Sequence, residues 1–280
     1  MKMINIKNFS KISKKDVSEV GGKGASLGEM LSAGFPVPPG FVIVAELNRK
    51  FVDGDISADI VDEILKAFDS LGVSRVAVRS SAIAEDSSQA SWAGQLESYL
   101  NVDRKNLISK IKECWNSIKS ERALQYASQQ NLPREQLLVA VVVQAMIASE
   151  VSGVMFTLNP VTNDRSEIMI EAGFGLGEMI VQGLITPNNF ILDKETLKIK
   201  SRDIQIQDKM LVFKNGKNIE ISVPKNKKNK QAVSDELIKK LGEIAIRIEN
   251  HYQVAQDIEW AIDETGKIWI LQSRPVTTMQ

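Results

Sequence analysis

The chain has 280 residues, 43% of them apolar and 25% charged, the proportions of an ordinary globular protein rather than a disordered one. Its 35 basic residues balance 35 acidic ones, which argues against a polyanion binder such as a nucleic-acid domain. One cysteine, Cys114, and one histidine, His251, exclude an intramolecular disulfide framework, a Cys-based zinc site and any multi-histidine metal centre.

In chain order, the first fifteen residues carry five lysines and no apolar stretch, so they do not read as a secretory signal. Gly22 to Ala33 reads as a short helix with Leu27, Met30 and Leu31 on one face and Gly34 as its C-cap. Pro36-Val37-Pro38-Pro39-Gly40 forces extended chain into the apolar run Phe41 to Ala45. Ile60 to Phe68 reads as a helix, and Val76 to Arg79 as a strand entering the polar loop Ser80 to Ser91. Asp103 is placed to cap a long helix reaching about Gln129, with Leu107, Ile111, Trp115 and Ile118 on its buried stripe. Leu137 to Met146 has no charge and predicts a strand buried on both faces. Val154 to Leu158, Ile168 to Ala172, Phe190 to Leu192, Asp203 to Gln207 and Leu211 to Phe213 suggest further strands. Ser234 caps a helix with Leu237, Ile238, Leu241, Ile244, Ala245 and Ile248 at 3.6-residue spacing. Two strands, Asp257 to Ile262 and Lys267 to Arg274, complete the pattern. The longest uncharged stretches fall short of the roughly 20 apolar residues that span a bilayer. The expectation is a mixed α/β, soluble, cytoplasmic protein with no membrane or nucleic-acid partner. The lysine-rich Pro224 to Lys230 reads as a solvated loop, with a polyphosphate or partner contact as the alternative.

Four stretches could carry chemistry. With Asp263-Glu264-Thr265-Gly266 as a turn, Ile262 should pair with Lys267, Asp257 with Gln272, and Glu259 with Ile270. Asp257, Glu259, Gln272 and Arg274 would then share one face of the sheet. Two carboxylates, an amide oxygen and a guanidinium suit a divalent metal carrying phosphates; the alternative is an exposed polar face with an ion pair to Arg274. A one-residue slip in register would separate the two pairs. Gly21-Gly22-Lys23-Gly24 opens a helix, where backbone amides and Lys23 favour an anion; a tight turn with a solvated lysine fits equally. It is not a Walker P-loop, because Val17 and Gly24 stand where glycine and a hydroxyl residue are required. Arg79 enters a loop of small hydroxyl residues, a common phosphate grip, although Glu85 and Asp86 could be its structural partners. Glu171 to Glu178 contains Gly173-x-Gly175 but fails the dinucleotide fingerprint, leaving a glycine turn as its simpler reading.

Taken together, these motifs resemble one family. Gly21-Gly22-Lys23-Gly24-Ala25-Ser26-Leu27, Pro36 to Phe41 and Val78-Arg79-Ser80-Ser81-Ala82 match its N-terminal half. Ser152-Gly153-Val154-Met155-Phe156-Thr157, Glu171 to Glu178, Asp257-Ile258-Glu259-Trp260 and Leu271-Gln272-Ser273-Arg274-Pro275 match its C-terminal half. The family is the ATP-grasp-like nucleotide-binding domain of phosphoenolpyruvate synthase, pyruvate phosphate dikinase and rifampicin phosphotransferase. The resemblance implies an α/β (α+β) fold of two subdomains, 1–144 and 145–280, holding Mg²⁺ and ATP between them. It implies that Gly22, Lys23 and Arg79 hold the triphosphate, that Gly94 and Gln95 cover it, and that Arg122 adds positive charge. Gln144, Ala145 and Met146 would read adenine through a hinge strand, and Glu171 would also contact ATP. Glu259 and Gln272 would bind Mg²⁺, Asp257 would support them, and Arg274 would touch the transferred phosphates, leaving Lys23, Arg79 and Arg274 as the catalytic cations.

The reaction implied is the ATP half of a dikinase cycle, with phosphoryl or pyrophosphoryl transfer to a histidine on a separate swivelling domain or protein. His251 matches a structural histidine of the family, not the acceptor. The stretch Ala45 to Arg75 is shorter than in longer relatives. Rival readings are an ATP-binding regulatory or scaffold subunit without turnover, and self-contained transfer from ATP to a small acceptor.

Overall fold

The computed structural model describes residues 5–51, 55–83, 96–130 and 137–276. The chain divides into two compact units, Met1–Met146 and Ile147–Gln280.

The first unit is a five-stranded sheet with helices on both faces. Its strands are β1 (Ile6–Asn8), β2 (Gly40–Ile43), β3 (Val76–Ala82), β4 (Ser98–Val102) and β5 (Val139–Ala145), in the spatial order β1-β2-β5-β3-β4. Every neighbouring pair is antiparallel. The uncharged run becomes the central strand β5, and all seven of its residues are buried. Alternation divides their packing. Val139, Val141 and Val143 join Phe41, Ile43, Val76 and Val78 in a core closed by α3 (Ala58–Ser70) and α4 (Leu107–Ser117), through Ile64, Phe68, Ile111 and Trp115. The opposite face packs against α1 (Val17–Ser32), where Gly24 lies against Val42.

Helix α1 is kinked at its start: Gly21 has φ 70° and ψ 171°, backbone open only to glycine. It ends in a Schellman motif, Gly34 N–H donating to Leu31 O and Phe35 N–H to Met30 O, with Gly34 at φ +79°. Two local expectations are corrected. Phe41 to Ala45 does not stay extended, because α2 (Ala45–Lys50) begins at its last residue. The long helix toward Gln129 is two helices, α4 and α5 (Glu121–Gln129), since Ser120 accepts from Ala123 N–H and starts the second. Asp103 does not cap α4 directly; its carboxylate holds the backbone and side-chain N–H groups of Asn106 in the preceding turn.

The second unit is built on a six-stranded sheet. Its strands are β6 (Ser149–Phe156), β7 (Glu167–Phe174), β8 (Asn188–Asp193), β9 (Ile199–Asp203), β12 (Gln256–Asp263) and β13 (Ile268–Pro275), with a separate ribbon of β10 (Lys209–Lys214) and β11 (Lys217–Ser222). The spatial order of the large sheet is β13-β12-β6-β7-β8-β9, antiparallel throughout. The strand expected at Asp203 to Gln207 in fact ends at Asp203, and the chain beyond it turns away to let Gln207 bridge Phe174 N–H and Ala172 O. A short helix, α6 (Glu178–Val181), follows β7.

Helix α7 (Asp235–Tyr252) starts at Ser234, whose hydroxyl accepts from Leu237 N–H. It buries Ile238, Leu241, Ala245 and Ile248 over one face of the sheet. That face is apolar: Met155, Ile168, Ile170, Phe190, Leu192, Ile258 and Trp260 are all fully buried. Gly153 sits on it too, so close to β7 that a Cβ there would lie 1.8 Å from Glu171 O. Among the described residues no helix is long and apolar enough to cross a membrane.

Two changes test these local devices. A Cβ at Gly21 would fall 2.3 Å from Ser81 Oγ and 2.5 Å from Ser81 O. Strain and clash together make Gly21→Ala cost about 2–4 kcal/mol in denaturant unfolding. Asp16 accepts from Lys7 Nζ, Ser13 N–H and Ser13 Oγ at 2.9–3.0 Å, and chiefly the Lys7 contact holds its carboxyl below the usual aspartate range. A depressed acid stabilises the fold above its unfolded pKa and loses that contribution as pH falls through the folded one. Asp16→Asn should therefore lower stability by about 1–2 kcal/mol near neutrality. In unfolding curves against pH, that gap should narrow below about pH 3.9 and then close.

Candidate nucleotide and metal site

In the first unit the glycine stretch is docked onto the end of β3. Ser81 Oγ donates to Val20 O at 2.9 Å and accepts from Gly24 N–H at 3.2 Å. Gly21, Gly22 and Gly24 are buried, and Gly21 makes the close approach to this strand, at Ser81. Lys23 Nζ donates to Ser80 O at 2.9 Å, which brings its ammonium beside the backbone that follows Arg79. Arg79 lies on β3, opposite Val142 on one side and Ser98 on the other. Lys23 thus reaches the main chain of the same strand that carries Arg79, from 56 positions away in the sequence. Arg122 stands on α5 with Nη2 3.8 Å from Glu97 Oε1. Gly94 and Gln95 lie outside the described residues.

Gln144, Ala145 and Met146 end the central strand. Ala145 N–H donates to Pro39 O and Met146 N–H to Arg75 O, so both amides are already engaged. The Gln144 side chain is different: it is 2% exposed, and its Nε2 has no hydrogen-bond partner among the described residues. A buried amide donor left unpaired costs about 1–3 kcal/mol. At this place the side chain offers what the two backbone amides do not.

The second unit presents the hairpin of β12 and β13. Its register differs from the sequence expectation at two points. Asp263 takes the N–H groups of Thr265 and Lys267 and the indole N–H of Trp269 on one carboxylate, and the closing turn is one residue longer than expected. Ile262 therefore faces Ile268, not Lys267. Farther along, a β-bulge inserts Leu271 as an extra residue, after which Glu259 faces Gln272 and Asp257 faces Arg274. Each offset alone would carry Gln272 and Arg274 to the α7 side of the sheet. Together they amount to two residues, so Asp257, Glu259, Gln272 and Arg274 do share the open face.

On that face Arg274 donates through Nε (2.9 Å) and Nη2 (2.7 Å) to Asp257 Oδ2, and the Asp257 side chain is 13% exposed. Burial pushes the Asp257 carboxyl up, Arg274 opposes that, and the nearby Glu259 adds to it. Glu171 on β7 is raised as well, by burial first and then by the charge of Asp257. Asp257 thus feels Glu259, and Glu171 feels Asp257, over one face of the sheet.

Gln272 is the sharpest feature. It is 7% exposed and its Oε1 has no hydrogen-bond partner among the described residues. Among those residues no three His, Cys, Asp or Glu side chains form a metal site by themselves. The donor set here is a carboxylate, Glu259, with the amide oxygen of Gln272 across the strand. Hard oxygen donors of this kind fit Mg²⁺, which keeps water and phosphate oxygens as its remaining ligands. Asp257 is occupied by Arg274 and orients it. Sequence reading passed over Asn189, which pairs directly with Glu171 on the same face. The signal was the alternation of β8, where Phe190 and Leu192 are buried and Asn189 must point the other way. His251 is exposed near the end of α7.

Comparison with known proteins agrees with this geometry. The family model for the pyruvate phosphate dikinase AMP/ATP-binding domain matches residues 17–55 and 45–280. A probable phosphoenolpyruvate synthase of Archaeoglobus fulgidus is 41% identical across 96% of this chain and 41% of its own length. The phosphoenolpyruvate synthase of Pyrococcus furiosus is 36% identical across 98% of this chain and 44% of its own. The chain therefore spans less than half the length of these relatives. Among solved structures, N5-carboxyaminoimidazole ribonucleotide synthetase with ADP overlaps 93% of this chain and 46% of its own at 9% identity and a TM-score of 0.44, too remote to carry chemistry. A match over nearly the whole chain, with the motifs in order and Glu259 and Gln272 paired across one hairpin, leads to one conclusion: the chain belongs to the pyruvate phosphate dikinase AMP/ATP-binding domain family.

Proposed function

We propose that the chain binds Mg-ATP and performs the ATP half-reaction of a dikinase-type transfer. The phosphoryl or pyrophosphoryl group passes to a histidine carried on a separate domain or protein. The observation that carries this reading is the Oε1 of Gln272, buried and without a partner among the described residues, opposite Glu259, because buried polar groups are mostly paired and one aimed at a carboxylate's face suits a bound cation.

Each unit carries its own candidate residues. In the first, Lys23 and Arg79 supply positive charge along β3, and Gln144 holds a buried amide donor, without a partner among the described residues, that suits a nucleobase. In the second, Glu259 and Gln272 would hold the divalent cation, which neutralises phosphate charge when bound. Arg274, fixed in direction by Asp257, presents its remaining guanidinium edge to phosphate oxygens. In the transfer, the acceptor imidazole nitrogen bonds to phosphorus as a phosphoanhydride P–O bond breaks. The electron pair leaves on the bridging oxygen of the departing phosphate. Arg274 in the second unit would stabilise that developing charge, Lys23 and Arg79 are the first unit's candidates for the same role, and no protein general base is needed for a neutral imidazole.

Calorimetric titration with a slowly hydrolysed ATP analogue, with and without Mg²⁺, tests the reading. Wild type should bind in a metal-dependent way. A Glu259→Ala/Gln272→Ala double variant should lose at least about a hundredfold in affinity, equivalent to about 2.7 kcal/mol. Wild-type binding that ignores the metal, or no binding at all, would remove the proposal.

A further inference from the structure

Two consecutive serines near the end of β3 send their side chains to opposite faces of the first sheet. Ser81 faces α1 and holds the glycine stretch. Ser80 faces α4, where its hydroxyl meets that of Ser117, the last residue of the helix, and both serines are buried. Ser117 Oγ lies 2.7 Å from Cys114 O and 3.3 Å from Ser80 Oγ, and Ser80 Oγ lies 3.4 Å from Cys114 O. The hydrogens order this cluster. A hydroxyl has one, and the short contact commits that of Ser117 to Cys114 O. Between the two serines, Ser80 is therefore the donor and Ser117 the acceptor.

The main chain of Ser80 is engaged as well. Its N–H donates to Glu97 O at 3.1 Å, and its carbonyl accepts from Lys23 Nζ at 2.9 Å. The ladder with β4 stops at the Arg79–Ser98 pair, so just past it this carbonyl takes an ammonium rather than a strand N–H. Ser80 thus ties α4 to the cation of α1 through one residue. Cys114 does not compete for that cation: burial pushes its thiol up to about 12, and its Sγ lies 3.8 Å from Val78 O as a neutral neighbour.

We infer that Ser117 is a positioning residue for Lys23: through the Ser80 hydroxyl it fixes the strand end whose carbonyl aims the ammonium at nucleotide phosphates. The inference rests on the Mg-ATP reading above, in which Lys23 supplies positive charge. Without the Ser117 oxygen, Ser80 Oγ keeps only Cys114 O at 3.4 Å, the outer limit of a hydrogen bond. The residue that holds Lys23 then loses its tether to α4.

A double-mutant cycle tests this, because a residue acting through Lys23 loses its effect once Lys23 is gone, whereas a merely structural one keeps it. Calorimetry with a slowly hydrolysed ATP analogue in Mg²⁺ compares wild type, Ser117→Ala, Lys23→Ala and the pair, each checked by thermal melting. Ser117→Ala should weaken binding about fivefold in wild type, and less than about twofold beside Lys23→Ala. Adenosine, which has no phosphate for Lys23, gives the same comparison without the lysine variant: Ser117→Ala should leave its affinity unchanged. Ser80→Ala removes the other hydroxyl and leaves Ser117 on Cys114 O, so it should repeat these results even if Ser117→Ala melts early. Equal losses in the two lysine backgrounds, equal losses for adenosine and the ATP analogue, or no loss at all overturn the inference and leave the Mg-ATP reading standing. Absence of metal-dependent binding by wild type overturns both.

Discussion

The chemistry of the second unit hangs on strand parity. In a β-strand, side chains alternate between faces, so a one-residue change in pairing moves every later side chain to the other side. Here the faces are opposites in character: α7 seals one with apolar packing, and the other gathers Glu171, Asp257, Glu259, Gln272 and Arg274. The Asp263-centred turn and the bulge at Leu271 each shift β13 by one residue, and their sum restores the faces. With only one of them, Gln272 and Arg274 would enter the core beneath α7, where an unpaired guanidinium costs several kcal/mol. The bulge is therefore what keeps the candidate residues together on one face.

The polar face also explains its own electrostatics. Asp257 is largely withdrawn from water and Arg274 partly so, and the pairing offsets part of the cost of burying the carboxylate. Their pairing fixes the guanidinium and spends one carboxylate. Glu259 and Gln272 keep oxygen atoms on the same face, next to carboxylates that burial and mutual repulsion already disfavour as anions. A surface arranged in this way would be relieved by a bound cation. In the first unit the Ser81 hydroxyl docks the glycine stretch and the Ser80 carbonyl holds Lys23 against the strand that carries Arg79.

Much of this was legible in the sequence, for reasons that differ by element. The uncharged run at β5 and the Ser234-capped periodicity of α7 are strong patterns, and both elements form where they were expected. The hairpin's shared face was legible because alternation depends only on whether the pairing offset is odd or even. The register itself was not, since neither the reach of the Asp263 carboxylate nor a bulge has a simple composition signal. The break between α4 and α5 lay hidden under a continuous apolar stripe, although Ser120 before Glu121 was a cap signal. The orphaned amide of Gln144 and the alignment of Asn189 with Glu171 needed tertiary pairing to appear. Family resemblance supplied the assignment of roles, which spacing alone left open.

Gly153 sets a limit of another kind. The ring of Trp260 lies 2.6 Å from where its Cβ would be, which suggests a small residue and a large one sharing one volume. Such pairs usually drift together in evolution, one growing as the other shrinks. This pair has no such freedom, because the nearer obstacle at 1.8 Å is the main-chain oxygen of Glu171, which no side-chain trade can move. Trimming Trp260 would open a cavity without making room at position 153. The spacing between β6 and β7, and with it the step from Val154 to Glu171 on the far side of the sheet, is thus held by an atom that is not there.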